Sequence, residues 1–193
     1  LWDAFEAQEE PISSYYKWLL LLGQRAGETR RMKWEDIDLT KRIWVIPKEE
    51  TKAARLHIVP LPTMACDLLT HLKSVSGNTY VFESSRKSGR PIKWTHKASA
   101  RISEHSGVED FKIHDLRRTM ASGLAELGTS RTVIGKVINH KGISGDNSVT
   151  AIYDRYDYLE QKREALETWS QRLALYVKTH LEFNHYRFNI RMK

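Results

Sequence analysis

The stretch HDLRRTMASGLAELGTSRTVIGKVINH, His114 to His140, decides how the chain folds. Leu116, Met120, Leu124 and Leu127 recur at intervals of three and four residues, which places them on one face of a helix, and Gly128 stops it. Thr129 or Ser130 then caps a second helix over Val133–Asn139, with Val133, Ile134, Val137 and Ile138 as its apolar stripe. Toward the N-terminus, Tyr15, Trp18, Leu19 and Leu22 predict a buried helix within Ser13–Gly27, broken at Gly23 and Gly27. Between these helical regions the pattern changes. Arg42–Pro47 (RIWVIP) is β-branched and aromatic, Arg55–Pro60 (RLHIVP) alternates, and the polar Lys48–Ala54 joins them as a hairpin. Thr79–Glu83 is expected to be a third strand, Ser84–Pro91 a basic, Gly- and Ser-punctuated segment, and Trp94–Ser106 a helix. On the C-terminal side, Lys141–Ser148 reads as a loop and Asp157 to about Glu182 as a long amphipathic helix carrying Leu159, Leu166, Trp169, Leu173 and Val177. A basic, aromatic tail starts at Phe183. The predicted class is α+β, mainly helical, with a small antiparallel sheet near the N-terminal third.

Composition bounds the function. With 193 residues, 28% charged and 40% hydrophobic, the chain can bury a proper core, which excludes disordered and collagen-like classes. The lone Cys66 permits neither an intrachain disulfide nor a four-cysteine zinc site, and a reducing, intracellular compartment is expected. The longest apolar run, Trp18–Leu22, is far short of the roughly 20 residues that cross a bilayer. The acidic opening with Glu6, Glu9 and Glu10 lacks the basic start of a signal or transit peptide, and the first residue is Leu1, so a piece of a longer protein is expected. Thirty-one Lys and Arg against 24 Asp and Glu give a net charge of +7, which favours a polyanionic partner: nucleic acid, an acidic membrane surface or an acidic protein.

Motifs narrow the choice. Gly23 and Gly27 are not followed by Lys-Ser/Thr, so no nucleoside triphosphate loop is present, and neither H-E-x-x-H nor G-x-S-x-G occurs. The eight histidines are scattered singly, and nothing in the spacing asks for a metal site built from His114, His140 and a carboxylate. What stands out is a set of basic residues at pointed places. His114 and Arg117 form an H-x-x-R step on one helix face; Arg25 lies just past the buried helix with Glu28 three residues on; Lys52 sits in the hairpin connection; His140 closes the short helix. Tyr153, Tyr156 and Tyr158 follow. Taken singly, each has an ordinary structural explanation; the ordered set does not.

From about Trp18 to Trp169 the chain resembles the catalytic domain of the phage-type tyrosine recombinases, the integrases. The resemblance rests on Arg25 in GQRAGE, Lys52 in ETKAARLHIVPL, His114–Arg118 in HDLRR, His140 in INH and a closing tyrosine in AIYDRYDYLEQKREAL, in the family's order and near its usual separations. WEDIDL, Trp34–Leu39, and LAELG, Leu124–Gly128, resemble structural stretches of the family. The resemblance implies site-specific DNA recombination, the integration and excision of a mobile element, through a covalent 3′-phosphotyrosyl intermediate with neither cofactor nor metal. It assigns Arg25 and Arg117 to the phosphate as bidentate, permanently charged donors, Lys52 to the leaving 5′-oxygen as general acid, His114 to proton transfer at the tyrosine, His140 to a hydrogen bond with the scissile phosphate, and Glu28 to orienting Arg25. Tyr153 is the preferred nucleophile because Tyr-x-Arg followed by an acidic amphipathic helix matches YDR and YLEQKREAL; Tyr156 and Tyr158 are its rivals. Tyr153 lies thirteen residues beyond His140, farther than is usual in the family.

The expected organisation is a catalytic domain over residues 1–182 and a tail over 183–193, with the family's N-terminal DNA-binding domains missing. Arg86, Lys87, Arg90, Lys93, Lys97 and Arg101 are candidate contacts to the DNA backbone. Expected partners are double-stranded attachment-site DNA, further copies of the chain in a tetramer on that DNA, a directionality factor and a host DNA-bending protein, with no membrane. The expected location is the bacterial cytoplasm, at the nucleoid when on DNA. Two alternatives stand beside this reading: a non-catalytic DNA-binding or assembly module of the same fold, and a type IB topoisomerase-like nicking and relaxing activity.

Overall fold

In the computed structural model, the described residues are all except 53, 76–78, 94, 141–157 and 192–193, with the side chains of 180–191 also left aside. Among the described residues eight α-helices and three strands follow in the order α1 (Trp2–Glu6), α2 (Ile12–Leu22), α3 (Ala26–Arg30), β1 (Ile37–Asp38), β2 (Ile43–Ile46), β3 (His57–Pro60), α4 (Thr63–Val75), α5 (His96–Ser106), α6 (Ile113–Glu126), α7 (Arg131–Val137) and α8 (Leu159–Arg191). Helix α2 is buried along nearly its whole length and packs against α1, α4, α6 and α8. Around it Trp18 meets Trp44 and Phe82 edge-on, and Tyr15 and Tyr16 extend the aromatic cluster toward Phe82 and Phe5. Fully burying one side chain of this size is worth about 1.5–3 kcal/mol, which makes α2 the axis of the core.

The hairpin forms as expected, with Ile43 opposite Pro60 and Ile46 opposite His57. The third strand does not. It is Ile37–Asp38, antiparallel to β2 on the side away from β3, whereas Thr79–Glu83 makes only isolated bridges, Lys33 to Tyr80 and Glu83 to Pro91. Tyr80, Val81 and Phe82 look like a strand because Val81 and Phe82 must be buried, yet β1 already covers the free edge of β2. The sequence reading also omitted α1, α3 and α4, although Ala65, Leu69 and Leu72 bury at helical spacing in α4.

Helices α6 and α7 end by the same device. Gly128 takes φ +82°, its N–H bonds to the Ala125 carbonyl and that of Thr129 to Leu124. Ser130 is the cap of α7, accepting from the Val133 N–H at 3.3 Å. At the far end of α7 Asn139 takes φ +49°, and the His140 N–H reaches back to the Gly135 carbonyl at 3.0 Å. Helix α6 starts three residues before Leu116, so His114 lies in its first turn. There Asp115 accepts from the Lys112 N–H at 3.1 Å. Helix α8 continues to Arg191, so residues 183–191 of the expected tail are helical in backbone. Its buried face is Lys162, Ala165, Leu166, Trp169 and Leu173, and the Trp169 indole donates to the Leu20 carbonyl while lying over Gly123.

Candidate active site

The geometry of the site follows from where α2 and α7 stop. A helix leaves its last carbonyls without intrahelical donors, and the partial negative charge at that end attracts cations. The Schellman-type turn at Asn139 leaves the carbonyls of Val137, Ile138 and Asn139 to find partners elsewhere, and each finds one. Val137 accepts from the Gln24 amide at 3.0 Å and from His57 Nε2 at 3.1 Å. Ile138 accepts from Arg117 at 2.5 Å, and Asn139 from Arg25 at 3.1 Å. Arg117 also donates to the Gly23 carbonyl at 2.7 Å, so its guanidinium is held between the C-termini of α2 and α7. Gly23 ends α2 at φ +60°, a conformation glycine adopts without strain.

Arg25 and Arg117, which are 92 residues apart in sequence, thus meet at one helix end. Glu28, whose side chain is 3% exposed, holds Arg25 at 3.0 Å and accepts the Lys52 backbone N–H on the same oxygen at 3.2 Å. Burial pushes the Arg117 guanidinium down to about 10, with the neighbouring Arg25 charge adding to the effect and Glu28 opposing it. His114 is held below its ordinary value by partial burial and then by the charges of Arg117 and Arg118. A protonated imidazole is therefore disfavoured beside Arg117. Lys52 is exposed at the hairpin tip, and His140 is exposed immediately after the Asn139 turn. Tyr153 and its rival Tyr156 lie outside the described residues. Tyr158 is described, with the Lys136 ammonium 5.2 Å from its ring centroid. The structure brings Arg25, Glu28, the Lys52 backbone, Arg117 and the His140 backbone to the C-terminus of α7, and His114 stands one helical turn before Arg117.

Four residues were missed in the sequence. Arg55 Nε donates to Asn139 Oδ1 at 2.8 Å. His57 is buried, and its bond to a carbonyl fixes Nε2 as the protonated nitrogen; burial, then the Lys162 charge, keep its value well below the usual range. Lys162 Nζ donates to the Ile58 carbonyl at 2.5 Å, and burial pushes its ammonium down to about 8 with Lys136 contributing. Asn139 is 1% exposed. Of these, only Asn139 carried a signal, because an asparagine directly after an apolar helical stripe is a common left-handed cap. Among the described residues, Glu28 Oε2, Gln24 Oε1 and Asn139 Nδ2 are buried without a hydrogen-bond partner. Also among them, no three His, Cys, Asp or Glu side chains stand close enough to hold a metal ion, and no helix is long and apolar enough to cross a membrane.

The other basic candidates gather elsewhere. Arg86, Lys87, Arg90, Lys93, Lys97 and Arg101 all line one open cleft of about 1050 Å³, together with Arg30. The cleft runs between the segment at 84–93, the first half of α5 and residues 7–12. Arg25 and Arg117 do not line it. Arg101 is partly committed there, donating to the Gln8 side chain at 2.9 Å.

A family model described as Phage integrase family matches residues 1–159. Among curated proteins, prophage integrase IntA of Escherichia coli (strain K12) is 32% identical over 157 residues, 80% of this chain and 37% of that protein. The integrase of Salmonella phage P22 is 30% identical over 139 residues, 65% of this chain and 35% of that protein. The chain therefore spans little more than a third of the length of these relatives. Among solved structures, a lambda integrase dimer bound to a COC′ core site superposes with a TM-score of 0.58 at 22% identity, covering 74% of this chain and 55% of that one. XerA recombinase gives 0.60 at 18% identity, covering 82% and 60%. At these identities the superpositions speak for the fold.

Proposed function

The chain belongs to the phage integrase family, and from that membership we propose that it is the catalytic portion of a tyrosine-type site-specific recombinase, breaking and rejoining the DNA of a mobile element. The observation that carries the proposal is the placement of Arg25 and Arg117 side by side on the C-terminal carbonyls of α7. Two guanidiniums held there offer planar donors to the two non-bridging oxygens of one phosphodiester, where negative charge grows in the transition state. The Tyr153 oxygen attacks the phosphorus, His114 takes the phenol proton, and the P–O5′ bond breaks. Lys52 gives its Nζ proton to the departing 5′-oxygen, and His140 hydrogen-bonds the phosphate. The product is a 3′-phosphotyrosyl linkage and a free 5′-hydroxyl. Attack of a 5′-hydroxyl from another strand reverses each step and returns both protons. Glu28 supports the geometry by holding Arg25 and the backbone of Lys52 with one oxygen.

Double-stranded DNA is the proposed partner, with the basic cleft lined by Arg86, Lys87, Arg90, Lys93, Lys97 and Arg101 contacting its phosphates. Residues 1–182 act as the catalytic domain. A lambda integrase tetramer has been solved bound to a Holliday junction, and assembly of four copies on DNA is proposed here as well. A directionality factor and a host DNA-bending protein complete the proposed reaction, which takes place in the bacterial cytoplasm, on the nucleoid.

The test is covalent trapping on a nicked suicide substrate in EDTA. Wild type is expected to give a denaturant-resistant adduct. Tyr153→Phe abolishes it, Arg117→Ala lowers its rate by at least the ~10²–10³-fold typical of losing one transition-state donor, and Tyr156→Phe and Tyr158→Phe leave it intact. An adduct that persists in Tyr153→Phe overturns the choice of nucleophile, and one that persists at full rate in Arg117→Ala overturns the phosphate clamp.

A further inference from the structure

Asn139 does more than end α7. A residue at φ +49° in this position is most cheaply a glycine, because no side chain then has to be accommodated. The asparagine is instead 1% exposed, and its Nδ2 is buried without a partner among the described residues, an arrangement that costs stability. The rest of the amide is committed: Oδ1 accepts from Arg55 Nε at 2.8 Å, while the backbone carbonyl of the same residue accepts from Arg25 at 3.1 Å. Arg55 is three residues beyond Lys52, where the hairpin connection turns back into β3. One residue thus touches the phosphate-clamp arginine through its backbone and the base of the Lys52 loop through its side chain.

Inside the loop the Thr51 hydroxyl bonds to the Lys48 carbonyl and the Arg55 backbone, and among the described residues two other ties reach it from outside. The Arg31 side chain pairs with the Glu50 carboxylate, where both side chains are more than a third exposed, and the Lys52 N–H meets Glu28. The first is open to solvent and screened, and an exposed pair of that kind contributes little. The second restrains the backbone of Lys52 alone. The Arg55 bond is charge-assisted and made to a buried acceptor, the combination in which a hydrogen bond counts most.

We infer that Asn139 is a positioning residue that fastens the Lys52 hairpin to the arginine clamp, so that the proton donor and the phosphate ligands are held in register. The inference rests on the reading of Lys52 as general acid, and two measurements separate the two. The first needs no activity: hydrogen exchange of the backbone amides of residues 48–55 in the full chain. Asn139→Gly keeps the left-handed turn and removes the amide, so exchange in this segment accelerates about tenfold or more, the effect of one lost hydrogen bond to a charged group. Asn139→Asp keeps an acceptor for Arg55 and retains wild-type protection. Unchanged exchange in Asn139→Gly overturns the inference.

The second measurement is adduct formation on a substrate whose 5′-bridging oxygen is replaced by sulfur, a leaving group that departs without a proton. Asn139→Gly is expected to be about tenfold slow on the oxygen substrate and near wild type on the sulfur one, as is Lys52→Ala, though from a deeper deficit. If sulfur fails to rescue Lys52→Ala, the general-acid reading falls while hydrogen exchange still decides the role of Asn139. If sulfur rescues Lys52→Ala and not Asn139→Gly, the positioning role falls.

Discussion

Replacing Lys162 by methionine is expected to remove a rise in folding stability that wild type shows between about pH 8 and pH 10. Lys162 lies on the core face of α8, 7% exposed, with its ammonium against the Ile58 carbonyl and the charge of Lys136 nearby. Its value falls from 10.5 to about 8 on folding. Below pH 8 the lysine is protonated in both states, and the fold bears the full cost of a buried charge. Between 8 and 10.5 the unfolded chain binds more protons than the folded one, so stability climbs with pH at up to about 1.4 kcal/mol per pH unit. Over two pH units that amounts to about 2–3 kcal/mol. Tyr15, whose phenol burial pushes up, works in the opposite sense only above pH 10, where its unfolded counterpart ionises. The measurement is urea unfolding followed by tryptophan fluorescence at half-unit steps from pH 7 to pH 10, with Lys162→Met run beside wild type at each step. The stability of the variant minus that of wild type should shrink by about 2–3 kcal/mol across the range. A difference that stays flat refutes the reasoning, because it would mean that Lys162 keeps an ordinary value in the fold.

Three further outcomes are expected. Gly123→Ala puts a Cβ 2.3 Å from Trp169 Cζ3, between two packed helices, and costs about 1–3 kcal/mol as overpacking, read as a lower urea midpoint at unchanged slope. His57 is neutral in the fold because its value sits well below 6.5; stability is complete above pH 6.5 and falls as the pH drops below it, and the fall is weakened in His57→Gln, measured as Tm from pH 7 to pH 5. Sulfate at about ten times its dissociation constant raises Tm by about 3 °C over chloride at equal ionic strength, by occupying the site between Arg25 and Arg117; a rise that survives in Arg117→Ala would place the anion elsewhere.

Helix periodicity made α6, α7 and α8 readable, and β-branched alternation gave β2 and β3. Strand β1 was invisible because two residues, Ile37 and Asp38, cannot display a period of two. Thr79–Glu83 was misjudged because burial of Val81 and Phe82 gives the same residue types as strand pairing. At the site, Arg25, Glu28 and Arg117 stood out through spacing and resemblance, as did the Arg25–Glu28 pair, and the remaining contacts of the two arginines did not. Those contacts are made to backbone carbonyls, and every residue has one, so the sequence around Gly23 or Ile138 carries no mark of the bond to Arg117. Lys162 was equally hidden: in YLEQKREAL it looks like one more solvated charge, and only the docking of α8 on β3 turns it inward. The six basic residues of the cleft were recognised as a charged group, but their separation from Arg25 and Arg117 depends on how α5 and the 84–93 segment fold back toward residues 7–12.

The seven residues of α7 are too few to persist as a helix in isolation, where even good helix formers need about 12–15. Its persistence rests on Ile134, Val137 and Ile138 being buried against the rest of the molecule, and both clamp arginines end on carbonyls at its C-terminus. A partial opening that undocks this one element would therefore disassemble the anion pocket while α2, α6 and the sheet stayed folded. The free energy of that sub-global opening, rather than the free energy of complete unfolding, then sets the ceiling on how long the site stays intact, so heat or mild denaturant would silence the proposed chemistry before the aromatic core reports any loss of structure.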